Sequence, residues 1–422
     1  MHLQSIGKYV TANHIVRYLN EPDVQKRWKI KKMISLATAQ RWMHRMGYRW
    51  TKQPSGQFVD GHEREDVVAY RQNVFLPAMA ELESKIRTWN NGLTEEFKPW
   101  PHDIDDGPRP FQDRTVVWYH DESTFYANDR RNVGWVHKDA KAVPRAKGEG
   151  PSLMVADFVS ADYGWLRSPD KAESARVLFK AGANQEGYFT NQDILEHARQ
   201  AMGILENYRP NEKHALVFDN ATTHLKRADD ALSARHMPKN TPKEGSNWGV
   251  EVNMIGDNGK PIYGPDRKLL KRTVPMANGF FADGTTQEFY FPLGHEREGV
   301  FKGMAIILEE RGYSDCCGRK GKLAECHQFK CPPGATDCCC RRILYNEPDF
   351  VNVASLLEIE CGARGFQVIF LPKFHCELNF IEQCWGCAKR MYRKFPASSR
   401  EADLEHNVVD ALDSVPLASM RR

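Results

Sequence analysis

The sequence has no apolar run near the roughly twenty residues that a membrane-spanning helix requires, and no membrane association is expected. Internal repeats and long low-complexity tracts are missing as well. Glycine (30) and proline (23) are at ordinary levels, which excludes collagen-like and wholesale disordered classes. Net charge is small: 59 Lys and Arg against 55 Asp and Glu leave +4, which by itself points to no partner. The first residues, MHLQSIGKYVTANH, have neither an apolar h-region nor a cleavage pattern, so they do not read as a secretory signal. Without such a signal, eleven cysteines are expected as thiols or metal ligands rather than as a disulfide scaffold. What is present is a chain of 422 residues, 41% hydrophobic and 27% charged, long enough for about two to four domains with a sizeable core.

Composition divides the chain. Residues 12–50 are basic and helical in pattern, and GHEREDVVAYRQNVFLPAMAELESKI predicts a helix within 60–90. The Pro/Asp/Gly-rich KPWPHDIDDGPRP reads as a joint. TVVWYHD (115–121), LMVADFV (153–159) and HALVFD (214–219) are short apolar runs of the kind found in buried strands, with a helix expected over 190–208. From about 235 to 347 this pattern breaks: NMIGDNGKPIYG and NGFFADGTTQEFYF suggest hairpins, and FKGMAIILEERG a helix. It resumes with a helix in PDFVNVASLLEIECGARG, the strand FQVIFLP and a last helix around 378–395. We therefore read 235–347 as an insertion within one α/β domain.

Three carboxylates stand at comparable places. Asp121 ends TVVWYHD, Asp219 ends HALVFD, and Glu382 lies in the first turns of the last helix. Side chains at strand ends and helix starts can converge on one sheet edge, and three such acids suit Mg²⁺, which prefers hard oxygen ligands and keeps positions open for water and phosphate. Each acid also has a plain structural alternative. Asp121 and Asp219 are suitable caps for a following turn or helix, and with Asn379 as N-cap Glu382 occupies the third position of a capping box. Leu378, Ile381, Trp385, Ala388, Tyr392 and Phe395 form one apolar stripe that puts Glu382 at its edge.

Position alone leaves both alternatives open. HDESTFYANDRRNVGW, VFDNATTH and LPKFHCELNFIEQCWGCAKR, however, resemble the three ordered signature blocks of the mariner-type DDE transposases. The resemblance covers roughly 111–234 and 348–396. It implies a ribonuclease H-like α/β catalytic core, with Asp121, Asp219 and Glu382 as the catalytic, metal-binding triad for Mg²⁺ or Mn²⁺. The spacing departs from the family pattern, because the 162 residues 220–381 separate the last two acids where the pattern has a few dozen. The insertion accounts for this and resembles a divergent branch of such proteins in fungal genomes. The expected domains are a helix-turn-helix region (1–59), a helical linker (60–110), the interrupted core, the insertion (235–347), and a tail (397–422) from which a C-terminal portion found in relatives is expected to be missing.

Two further segments carry candidate sites. KRWKIKK (26–32) precedes ISLATAQRWMHRMGY (34–48), where Leu36, Ala39, Met43 and Met46 share one helical face and Arg41, Arg45 and Arg49 another. With an earlier helix near 13–20 this suits a helix-turn-helix, in which Lys29, Lys31, Lys32, Arg41, Arg45 and Arg49 meet phosphates or base edges. The alternative is a solvated basic face on a small bundle. CCGRKGKLAECHQFKCPPGATDCCC holds seven cysteines and a histidine: Cys316, Cys317, Cys326, His327, Cys331, Cys338, Cys339 and Cys340. Eight ligands are the number two closed tetrahedral zinc sites use, although no standard finger spacing is present. The alternative is a set of reduced thiols on a loop. Cys384 and Cys387 read as a helical coincidence.

The expected activity is thus metal-dependent cleavage and joining of DNA, at transposon ends and target, with a homodimer and, in a eukaryote, a nuclear location as further expectations. Arg130 or Arg131 is expected to offset phosphate charge. The competing expectations are a catalytically inactive, transposase-derived DNA-binding protein and a ribonuclease H-like nuclease without strand transfer.

Overall fold

A computed structural model of the protein describes residues 11–48, 61–90, 94–96, 114–129, 147–180, 189–256, 261–316, 321–332, 334–396, 398 and 400–421. They fall into two compact units, Met1–Asp60 and Gly61–Arg422.

Among its described residues the first unit has three short helices: α1 (Ala12–Leu19), α2 (Pro22–Trp28) and α3 (Leu36–Arg45). Pro22 opens α2, where its missing N–H costs nothing, and Lys29 closes it in the left-handed region at φ 51°. Ser35 caps α3, its Oγ accepting from the Thr38 N–H at 3.2 Å. Ile15, Val24 and Ala39 are buried, one from each helix. The face expected to be apolar on α3 is only partly used: Leu36 is 44% exposed and Met46 50%.

In the second unit a helical stretch comes first: α4 (Glu65–Tyr70), one π-helical turn (Arg71–Phe75) and α5 (Leu76–Glu83). A small hairpin follows, β1 (Thr88–Asn90) with β2 (Thr94–Glu96). The central sheet contains β3 (Thr115–Tyr126), β4 (Ser152–Ser160), β5 (Gly164–Trp165), β6 (Val177–Phe179), β7 (Lys213–Phe218) and β12 (Gln367–Phe370). Its order is β12-β7-β3-β4-β5, with β6 also on β4. β12, β7 and β3 run parallel, whereas β4 is antiparallel to β3, β5 and β6. Between β6 and β7 lies α6 (Asn191–Tyr208), opened by a reciprocal cap between Thr190 and Asp193.

Helices cover both faces. On one, α6 and α10 (Leu356–Ala363) enclose Trp118, Phe158, Ile194, Met202, Leu205 and Phe218. On the other, α11 (Phe380–Tyr392) and α12 (Glu401–Asp413) pack Trp385, Tyr392, Val408 and Leu412 against Phe125, Val155 and Trp165. Phe75 and Leu82 of the first helical stretch cover Val117, Val217 and Ile369 beside them. Trp165 Nε1–H donates to the Leu412 carbonyl at 2.9 Å, and Arg176 ties Asp157 of β4 to Asp413 of α12.

Within the stretch expected as a helical linker, Phe75 and Leu82 of the π turn and α5 pack on the sheet. Within the stretch expected as a tail, α12 and α13 (Leu417–Met420) belong to a hydrophobic cluster. The helix expected across 348–365 is two, α9 (Pro348–Val351) and α10, because Ser355 and Glu358 form a capping box that starts a new helix. The insertion holds β8 (Val250–Asn253), β9 (Lys271–Val274), β10 (Gly279–Phe280), β11 (Thr286–Gln287), α7 (Met304–Glu310) and α8 (Cys340–Asn346). It has a hydrophobic cluster of its own, centred on Phe289, Phe301, Met304, Ile307 and Leu344.

If α12 is part of the core, Leu412→Ala should destabilise the chain by about 2–5 kcal/mol, as buried leucine truncations do. A urea midpoint unchanged from the parent would show instead that this helix is peripheral.

Candidate active site

Asp121 and Asp219 are placed by strand pairing. The parallel β3–β7 ladder ends at Tyr119 opposite Val217; two residues further along each chain stand Asp121, still within β3, and Asp219, one residue past the end of β7. β3 does not end at Asp121, as expected from its sequence, but runs on to Tyr126 with only β4 as partner. The acid therefore sits mid-strand, where the parallel neighbour leaves and the sheet opens. Alternation sends Tyr119 and Phe125, and with them Asp121, to the α11 side, and His120 to the opposite side.

Glu382 comes from α11. Asn379 is the N-cap residue, but its Nδ2–H donates to the His120 carbonyl of β3 at 3.1 Å. That bond fixes the helix start to the strand bearing Asp121. No side-chain cap forms at this helix start, so the capping role open to Glu382 is not realised. Ile381, Cys384, Trp385, Ala388 and Tyr392 are buried while Glu382 is exposed beside them.

Electrostatics registers how close the acids lie. Burial, followed by the charges of Glu382, Glu122 and Asp219, pushes the Asp121 carboxyl up to about 8. Asp219 goes the other way: burial opposes its charge, but a hydrogen bond from His224 holds its pKa below the ordinary value. His224 Nδ1 bonds to Asp219 Oδ1, and the Ala221 N–H donates to the same oxygen at 3.2 Å. Asp157, paired with Asp121 across β3–β4, is a fourth carboxylate, but Arg176 neutralises it at 2.8 Å.

The structure thus places the three predicted acids within electrostatic reach of one another, with their oxygens not all within 4.8 Å. Sequence reasoning missed Glu122 and Lys389. Lys389 lies two turns along α11 from Glu382, its Nζ 5.5 Å from the centre of the Phe125 ring. Burial lowers its pKa, against the charges of Glu382, Asp129 and Asp121. The i, i+7 relation of Glu382 and Lys389 on one helix was the available signal. The buried Asn220 Oδ1, next to Asp219, has no hydrogen-bond partner. Three carboxylates within electrostatic reach, beside an unpaired amide oxygen, are hard-oxygen donors of the kind Mg²⁺ and Mn²⁺ prefer.

Among the cysteines, Cys326, Cys331, Cys338 and Cys339 converge, their sulfurs all within 4.8 Å of one another. Four sulfurs about 2.3 Å from a zinc ion stand about 3.8 Å apart, and Cys326 and Cys338 are already at 3.5 Å. The expectation of two closed sites is corrected among the described residues. Cys316 and Cys340 are buried in the insertion's own core, and His327 is exposed outside the four-thiol group. Cys384 is likewise buried in the α11 stripe. In the first unit Lys29, Lys31, Lys32, Arg41 and Arg45 are all exposed. Arg49, Arg130, Arg131 and Cys317 lie outside the described residues.

No family model and no curated protein sequence matches the chain. Solved structures of the Mos1 mariner transposase are similar to it. The paired-end complex with Mn is 14% identical, covering 50% of this chain and 71% of that one, with a TM-score of 0.20. The paired-end complex with the left transposon end is 17% identical over 53% and 70% of the two chains, with a TM-score of 0.21. The strand transfer complex is 15% identical over 50% and 69%, with a TM-score of 0.20. Superpositions this loose carry no argument, and the reading of the site rests on the chain's own residues.

The Asp121 shift makes a signed prediction. Its carboxyl has a pKa of about 8 in the folded chain against an ordinary 3.8, so the folded state holds a proton that the unfolded state has released. Without metal, stability should therefore fall as pH rises from about 4 to about 8. An ion needs the deprotonated carboxylate, so the rise in melting temperature on adding Mg²⁺ should be larger near pH 8.5 than near pH 6. Asp121→Asn should remove that difference. An equal Mg²⁺ effect at both pH values in the parent would contradict the assignment.

Proposed function

We propose that the chain is a metal-dependent DNA endonuclease and strand transferase of the transposase type, with Asp121, Asp219 and Glu382 as its metal-binding triad. The observation that carries this reading is the meeting of three acids from segments separated by most of the domain, close enough that Glu382 and Asp219 help keep a proton on Asp121. The sheet supports it: two parallel strands beside a long strand that continues antiparallel, with acids where the parallel pairing ends, is the arrangement expected of a ribonuclease H-like core.

The three carboxylates would hold Mg²⁺ or Mn²⁺, which when bound supplies water activation and charge stabilisation for in-line displacement at a phosphodiester. This chain's own groups do the rest. His224 orients the Asp219 carboxylate through its Nδ1 hydrogen bond. The Asn379–His120 bond holds α11, and with it Glu382, against β3. Lys389 places a cation beside the acids, where a phosphate enters. The substrates of this reading are transposon ends and target DNA, in a nucleus if the host is eukaryotic. In the first unit, the exposed Lys29, Lys31, Lys32, Arg41 and Arg45 suit the phosphate backbone, with α3 as the recognition helix of a helix-turn-helix. The four converging cysteines support one structural zinc ion in the insertion.

Glu382→Gln, Asp121→Asn and Asp219→Asn should each cut Mg²⁺-dependent nicking of duplex DNA by more than about a hundredfold while the melting temperature is retained, because losing even outer-shell partners costs 10–100-fold. A folded Glu382→Gln chain that nicks like the parent would remove the triad. A parent that binds DNA but cuts nothing would identify a DNA-binding remnant instead, and one that nicks without joining a nuclease.

Replacing both Arg41 and Arg45 with Ala should weaken DNA binding and reduce the slope of log affinity against log salt by about 2. Gel shifts with unchanged affinity and slope would take α3 out of the interface.

A further inference from the structure

On the face of β3 opposite Asp121, two histidines and a glutamate meet. One ring nitrogen each from His120 and His224 and a carboxylate oxygen of Glu122 lie within 4.8 Å of one another. The two histidines are 0% and 2% exposed, and their rings form an edge-on pair at 5.5 Å. His120 Nδ1 and His224 Nε2 are buried without a hydrogen-bond partner. A buried polar nitrogen left unpaired costs free energy, so a cluster with two of them calls for something between them.

The remaining nitrogens show what that is. His197 Nε2 lies 2.6 Å from the Ala175 carbonyl, which only accepts, so this nitrogen carries a hydrogen. Burial keeps His197 neutral, its pKa pushed down to about 4, which leaves Nδ1 as an acceptor. His120 Nε2, 3.2 Å away, must then donate to it. With its hydrogen on Nε2, the neutral His120 ring presents a bare lone pair at Nδ1. His224 is arranged in mirror fashion: Nδ1–H is taken by Asp219, leaving Nε2 for the cluster. Metal-ligating histidines have this pattern, one nitrogen on the ion and the other donating to a carboxylate or another acceptor that fixes the ring.

We infer that His120, Glu122 and His224 form a separate site for a borderline divalent cation of the Zn²⁺ class, behind the triad and joined to it through His224 and Asp219. Two imidazoles and one carboxylate are a donor set for such an ion rather than for Mg²⁺. The spacing suits it: donors about 2.1 Å from a tetrahedral ion stand about 3.4 Å apart, and His224 Nε2 to Glu122 Oε1 is 3.7 Å. An ion on Nε2 would hold the His224 ring and, through its Nδ1 bond, lock Asp219 in position. The site does not depend on whether the triad cuts DNA, since its readout is metal content.

The test uses the full chain, stripped with chelator and titrated with Co²⁺ in excess Mg²⁺, so that the oxygen-only triad is filled. The parent should bind one Co²⁺ with sulfur-to-metal charge-transfer absorption, from the four cysteines, and a second with ligand-field bands alone. Glu122→Gln should weaken the second by more than about tenfold and spare the first. Cys326→Ser with Cys338→Ser should do the reverse. Glu122 is partly exposed, so its variant is expected to fold, and its melting curve checks this. A parent that binds no second, sulfur-free Co²⁺, or a folded Glu122→Gln chain that retains it at parental affinity, overturns the site. Either result leaves the nicking experiments on the triad to be decided separately.

Discussion

The parallel ladder between β3 and β7 is the interaction on which the rest of the site depends. It sets the register from which Asp121 and Asp219 follow two residues beyond the last pair, and by ending at Tyr119 and Val217 it lets the two chains part there. A slip of one residue would reverse the face of every side chain on β3 and exchange Asp121 for Glu122. Apolar burial on both faces guards against this, with Trp118 in one cluster and Tyr119 packed against the other. Once the register is fixed, Asn379 Nδ2–H reaches the His120 carbonyl, and α11 brings Glu382 within electrostatic reach of Asp121. Asp121 and Glu382 sit within a strand and a helix, and Asp219, one residue past β7, is held by His224 and the Ala221 N–H.

The same constraint explains how the chain tolerates its large interruption. Between Asp219 and β12 the polypeptide leaves the sheet, builds a cluster around Phe289, Phe301 and Met304, and returns through Ser355, whose cap starts α10. A segment with its own hydrophobic centre does not draw on the core of its host, and loop-closure entropy grows only slowly with length. β12 then pairs with β7 in parallel, from Gln367 opposite Ala215 to Phe370 opposite Phe218. The four converging cysteines lie in this insertion, where irregular backbone leaves few other means of fixing the chain.

Much of the sheet was legible in the sequence, because strands buried on both faces are nearly continuous apolar runs and α6 announces itself with Thr190, Asp193 and a helical stripe. The continuation of β3 was not legible. Glu122 to Tyr126 runs three polar residues and then two aromatic ones next to a charged segment, and only the antiparallel partner β4 makes it a strand. The helices at Glu65–Glu83 and Glu401–Asp413 have amphipathic faces, but a face does not name its partner, so both read as linker or tail. The acids were visible as types at strand and helix ends, whereas the choice between cap and ligand for Glu382 turned on where Asn379 points. The cysteine count suggested eight ligands; burial of Cys316 and Cys340 in apolar surroundings reduced the cluster to four.

The central claim is that the three acids hold one metal centre, and the most direct measurement is anomalous scattering from crystals of the full chain soaked in Mn²⁺. The account predicts a manganese peak bound by carboxylate oxygens of Asp121, Asp219 and Glu382 together, at distances of about 2.1–2.2 Å, near those of Mg²⁺. Manganese bound elsewhere, or on Asp121 and Asp219 with Glu382 turned away to solvent, would contradict it.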